Sequence, residues 1–289
     1  MSGRRQGLLA SAIPLLLCSL LFLVPSSGSA QESCQSAQCH ATLVQGSAVH
    51  EAAGSCDNCH AATATPHPQK GQATFKLLDA QPALCTGCHD ALAAATAKPE
   101  VHEALADGCT TCHSPHASNT AHLLLKPQKE LCADCHSEPG AVAFPHGPVE
   151  AGDCTACHTP HSSDTKPLLA RKGDALCVDC HSDISDLLAA KKVKHPALDD
   201  GCTSCHQPHG GARGPHGSDF APILKERYET SDGAGESYES YALCYRCHER
   251  TSILADRSFA TRAFRTTPSG GGHSGHLAAG APCSACHDP

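Results

Sequence analysis

Twenty of the 21 cysteines in this 289-residue chain fall into one recurring word, Cys-x-x-Cys-His, and no other feature constrains the fold as tightly. Nine copies are regular. They are Cys56, Cys59 and His60; Cys85, Cys88 and His89; Cys109, Cys112 and His113; Cys132, Cys135 and His136; and Cys154, Cys157 and His158. The rest are Cys177, Cys180 and His181; Cys202, Cys205 and His206; Cys244, Cys247 and His248; and Cys283, Cys286 and His287. A longer variant, CQSAQCH, supplies Cys34, Cys39 and His40. Residues three and four apart share one face of a helical turn. Each word therefore presents two thiols and an imidazole to one object: thioethers to two vinyl groups and a nitrogen to the iron. This is the attachment signature of c-type haem. Zinc sites also use paired cysteines, and exported chains form disulfides, but neither requires a histidine after every second cysteine. Only 12 histidines lie outside the words. The sequence predicts ten covalently bound haem c groups; at Cys34 and Cys39 a disulfide is the alternative.

The first 30 residues read as a signal peptide, with Arg4 and Arg5 ahead of an apolar run from Leu8 to Val24 and small residues Gly28 and Ala30 before Gln31. An uncleaved membrane anchor is the competing reading. Cys18 lies inside the apolar run and reads as leader filler. The remaining chain is expected in the periplasm, associated with the outer membrane or cell surface as a further option. Without Arg4 and Arg5 it carries 19 basic against 29 acidic residues, which argues against nucleic-acid binding.

With no Trp, four Tyr and six Phe, the chain cannot fill an ordinary core. The expected fold class is mostly irregular, with short α-helices and almost no β structure. It is an elongated, haem-packed assembly without a conventional hydrophobic core, unfolded without its cofactor.

The words come in pairs, within a longer unit: His, CxxCH, Pro-His, a leucine pair, then Leu-CxxCH. One copy runs from His102 through CTTCHSPH and Leu124-Leu125 to LCADCH, the next from His146 through CTACHTPH and Leu168-Leu169 to LCVDCH. A third starts at His195, passes CTSCHQPH and reaches ALCYRCH after an insert; a looser one spans His50, CDNCH, Pro66-His67, Leu77-Leu78 and LCTGCH. The organisation predicted is a lead-in haem at 31–49 and haem pairs at 50–101, 102–145, 146–194 and 195–248, then a linker with a terminal haem at 249–289. This grammar resembles the multihaem cytochromes with doubled CxxCH motifs, among them the periplasmic decahaem subunits of porin–cytochrome conduits. The resemblance implies electron transfer along closely spaced haems, with periplasmic or inner-membrane donors, outer-membrane or extracellular acceptors, and an outer-membrane porin as a possible partner. The last word stops at Asp288-Pro289, where other units place Pro-His, which fits either a naturally short chain or a fragment.

Ten irons with two imidazoles each need ten further histidines. Nine recur in register: His50, His102, His146, His195 and His276 upstream of a word, and His67, His116, His161 and His209 downstream. His122, His216 and His273 compete for the tenth place. His116 is three residues from His113 on the same side of the backbone, so it is expected to serve a neighbouring haem. Met1 is the only methionine, which excludes the His/Met ligation that raises potentials.

Short helices are expected after His89 and His181, and an inserted loop over 210–240. Lys191, Lys192 and Lys194 read as a solvated helix end or a docking patch. Residues 249–275, with Arg250, Arg257, Arg262 and Arg265, read as an interaction surface, hinge or linker. The function expected is electron carriage without a substrate and with no catalytic residues. The alternatives are a nitrite, hydroxylamine or sulfur-oxyanion reductase with one open haem, and a subunit of a cytochrome filament.

Overall fold

A computed structural model describes residues 34–35, 39–136, 142–208, 217–255 and 272–287. The leader, Arg257, Arg262, Arg265, His209 and His216 lie outside the described residues.

The two words of each pair fold differently. The first word opens on a single 3-10 turn: Cys56–Asn58, Cys109–Thr111, Cys154–Ala156, Cys202–Ser204 and Cys283–Ala285. The second, preceded by leucine, is carried by a short α-helix: α1 (Ala83–Thr86), α3 (Gln128–Ala133), α5 (Asp174–Val178) and α7 (Ala242–Tyr245). Helices follow His89 and His181 where expected, as α2 (Asp90–Ala95) and α6 (Ser182–Ala190). In α6 an Asp in the first turn suits the helix dipole, while Lys191 already leaves the helix in an extended conformation. The remaining helices are α4 (Gly147–Ala151), α8 (Arg250–Leu254) and α9 (Gly272–Ala278).

Among the described residues strand structure comes in two- and three-residue pieces, and three of the pairs join the residues just ahead of one unit's upstream histidine to the downstream loop of the unit after it, which the sequence did not suggest. Strand β1 (Ala48–Val49) pairs antiparallel with β5 (Ala117–Ser118), β4 (Glu100–Val101) with β7 (Ser162–Ser163), and β6 (Phe144–Pro145) with β8 (Gly217–Ser218). Among the described strands, β2 (His60–Ala62) and β3 (Phe75–Leu77) pair within one unit. Next to two ladders the backbone pairing runs on into histidines: His50 N–H donates to the His116 carbonyl (2.8 Å) and His102 N–H to that of His161 (2.9 Å).

Among the described residues the buried apolar side chains are Leu224, Tyr241 and Leu277, while Leu77, Leu78, Val101, Leu125 and Phe144 are exposed. Their own apolar burial cannot hold these segments together. That agrees with a chain wrapped around large flat groups rather than around side chains.

Candidate haem-binding sites

Four of the upstream histidines share one backbone setting. His50, His102, His146 and His195 have φ of −66, −68, −72 and −67°, with extended ψ, and each starts a helical turn. The turn after His102 ends at Gly108 (φ 94°) and that after His195 at Gly201 (φ 87°), immediately before Cys109 and Cys202. A side chain there would be strained by φ alone, and its Cβ would lie 2.9 Å from Gln81 Oε1 or Asp174 Oδ1. Those oxygens are occupied: Gln81 accepts from Thr110 N–H and Asp174 from Cys202 N–H, which fixes the start of each word.

The downstream loop is equally regular. Ser118, Ser163 and Ser218 donate to the carbonyls of Leu124, Leu169 and Leu224 and accept from the backbone two residues on. The loops so closed contain left-handed non-glycine residues: His122, Leu123, Leu168 and Ile223. Such conformations persist where surrounding contacts impose them. Here they aim three carbonyls at three rings: Nδ1 of His113 at His122 O (2.8 Å), of His158 at Pro167 O and of His206 at Pro222 O (both 3.1 Å). A hydrogen bond of this kind fixes ring orientation and leaves the other nitrogen for a metal.

Eight word histidines face a second imidazole. The pairs are His40–His67, His50–His89, His60–His116, His102–His136, His113–His161, His146–His181, His195–His248 and His273–His287, with ring centroids 5.9 to 6.2 Å apart. An imidazole nitrogen bound to a metal lies about 2 Å from it, and ring centre to nitrogen adds about 1 Å, so rings bound from opposite sides stand about 6 Å apart. The residues therefore fit haem irons held between two imidazoles, with two thiols beside each. Burial, reinforced by neighbouring imidazoles, lowers the pKa of His116, His146, His161 and His273, favouring the neutral form that binds metal.

The pairing follows a rule. The upstream histidine faces the second word of its own unit, as His50 does His89. The downstream histidine faces an earlier word across a unit boundary: His116 faces His60 rather than His113, and His161 faces His113. The C-terminal end departs from expectation. His273, not His276, stands opposite His287, while His276 Nδ1 is bonded to the Gly272 carbonyl (2.9 Å). His50, His102 and His146 each leave a strand toward a second word. His276 instead sits in α9. For His158 and His206 the described residues do not supply the opposite ring. His122 contributes its carbonyl to His113.

Successive words adjoin in sequence order. Burial and the neighbouring Cys34 thiol raise the Cys56 pKa; burial and Cys109 push Cys85 up to about 11, with Cys59 also near. Burial and Cys154 push Cys132 up to about 11, with Cys112 beside it, and burial with Cys180 and Cys177 raises Cys157. Burial, Asp174 and Cys177 push Cys202 up to about 12, while Cys283, burial and Cys205 raise Cys244. These neighbours connect all ten words, from Cys34 to Cys283, in one series.

Residues 102–141, 146–186 and 195–253 match the family model of the doubled CXXCH motif. That doubled motif is the one carried by multihaem c-type cytochromes. The matched stretches begin at His102, His146 and His195, and residues 50–101 lie outside them. No curated protein matches the sequence. The doubled motif implies covalently bound haem c and supports a role in electron transfer.

Proposed function

We propose that this cytochrome binds ten haems and passes electrons along them in sequence order, between a redox partner at the His40 end and another at the His287 end. The observation that carries the proposal is the unbroken series of neighbouring thiols from Cys34 to Cys283, combined with imidazole pairs spaced for a metal. When bound, each haem supplies a reversible one-electron couple. The chain's residues do the rest. The thiols hold each ring system in place, the paired imidazoles close both faces of the iron, and the His122, Pro167 and Pro222 carbonyls orient the His113, His158 and His206 rings. Where two imidazoles would close both faces, no position would be left for a substrate, which supports a carrier role.

The leader supports export to the periplasm, with donors at the inner membrane or in the periplasm and acceptors at the outer membrane or beyond. An outer-membrane barrel is the partner suggested by the resemblance of the paired words. The test is the protein matured with its haem. Its mass should correspond to ten haems on a chain beginning at Gln31, cell fractionation should recover it from the periplasm or outer membrane, and reductive titration should take up ten electrons. Fewer than ten haems, retention in the cytoplasm, or turnover of nitrite, hydroxylamine or sulfite by the reduced protein would overturn the respective part.

A further inference from the structure

A side chain at the entrance to each second word reaches across the unit boundary to the next first word. Gln81, four places before Cys85, accepts from Thr110 N–H (3.2 Å). Gln128, four places before Cys132, turns its amide oxygen to the N–H groups of Cys154 (2.8 Å) and Thr155 (2.9 Å). Asp174, three places before Cys177, accepts from Cys202 N–H (2.9 Å). Tyr241, three places before Cys244, is wholly buried beside Cys283. At each of these junctions the first thiols of the two words meet: Cys85 with Cys109, Cys132 with Cys154, Cys177 with Cys202, and Cys244 with Cys283.

Three of these side chains are neutral: two amides, and a phenol whose ionisation burial opposes. Asp174 brings a carboxylate to the same place. One of its oxygens and the Cys177 and Cys202 sulfurs all lie within 4.8 Å of one another. Both sulfurs belong to haem words and are committed to thioethers, so the carboxylate stands beside the attachment bonds of two haems at once. Its place is fixed by the bond to Cys202 N–H and by Gly201, where a Cβ would lie 2.9 Å from Oδ1. Among the described residues no cation pairs with it; the nearby Arg171 pairs with Asp179 (2.6 Å). A fixed negative charge favours the more positive, oxidised iron and so lowers its reduction potential. Asp174 is exposed, and solvent screening weakens the effect on each haem without reversing its sign.

We infer that Asp174 is a potential-setting residue, whose carboxylate lowers the reduction potentials of the haems at Cys177 and Cys202 together. The inference rests on the haem reading proposed above. The boundary between the second and third regular units then adds to the barrier for passing electrons, which the amides at the two boundaries before it do not.

The experiment is a spectroelectrochemical titration of the haem-loaded full chain at neutral pH, with urea denaturation of the same samples. The haem count of the wild type, read by mass, tests the underlying haem reading on its own. Asp174→Asn keeps an oxygen for Cys202 N–H and removes the charge, so the part of the curve belonging to two haems should move to higher potential. Gln81→Glu keeps an oxygen for Thr110 N–H and adds a charge at the equivalent place, so part of its curve should move to lower potential. A side chain that merely held two words together would move the urea midpoint and leave both curves in place. If Asp174→Asn fails to mature, Asp174→Gln puts there the amide found at the earlier boundaries and gives the same readout. The inference falls if the neutral variant titrates as the wild type does or at lower potential, or if Gln81→Glu does not move to lower potential.

Discussion

Glu236 accepts three hydrogen bonds from side chains, and its replacement gives a measurable ledger. It accepts from Arg250 Nε (2.8 Å) and Nη2 (2.6 Å) and from the Tyr245 hydroxyl (2.8 Å). Tyr245 lies between the cysteines of its word, so this carboxylate ties the insert to Cys244 and Cys247. The Glu236 side chain is 10% exposed and that of Arg250 40%. A buried hydrogen bond to a charged group contributes about 1.5–3 kcal/mol. Solvent screening at the open arginine leaves its forked pair only a minor addition to that. Glu236→Ala removes all three bonds and leaves the Tyr245 hydroxyl without its acceptor, a loss of about 3 kcal/mol; Glu236→Gln, which keeps one oxygen, loses about 1–2 kcal/mol. The assay is urea denaturation of the haem-loaded protein followed by far-ultraviolet circular dichroism. The pH dependence has a definite sign. Arg250 holds the Glu236 carboxyl below its ordinary value of 4.5, so its stabilisation is full above that value and disappears as pH falls through the lower folded value. The gap between wild type and Glu236→Gln should therefore close in acid. An unchanged midpoint for Glu236→Ala at neutral pH, or a Gln gap that survives undiminished in strong acid, would refute the assignment.

Three other outcomes are expected. His161→Ala should open one iron, read as one additional carbon monoxide per chain on the reduced protein and reversed by added imidazole; the β4–β7 ladder should persist because the His161 carbonyl still accepts from His102. Gly201→Ala combines φ of +87° with a Cβ 2.9 Å from Asp174 Oδ1, so it should destabilise by about 1–3 kcal/mol in the same denaturation assay. Lys98→Ala, by contrast, removes only an open pair with Asp164, whose side chain is 70% exposed, and should cost less than about 1 kcal/mol.

The words themselves were legible because thioether attachment needs residues close together in sequence. So were helices α2 and α6, whose acidic starts are local signals. The upstream histidines of four units were legible as well, because each repeats at a similar distance from its word. Partner identity was not. His116 and His60 lie 56 positions apart, and nothing in composition or spacing says that they face each other. His276 has the upstream register, yet α9 presents His273 to His287. The carbonyls of Pro167 and Pro222 left no sequence signal at all, since a backbone acceptor is chosen by loop shape and not by residue type.

The sequence alone determined the chemistry: repeated paired thiols with an adjacent imidazole, too few large side chains for a core, and a single methionine, at position 1. Those are local or compositional properties, readable without coordinates. Only the tertiary structure decided which imidazoles face each other and in what order the words adjoin. Short antiparallel ladders between repeats make that decision, and a ladder two residues long is specified by the register of distant segments rather than by any pattern within one.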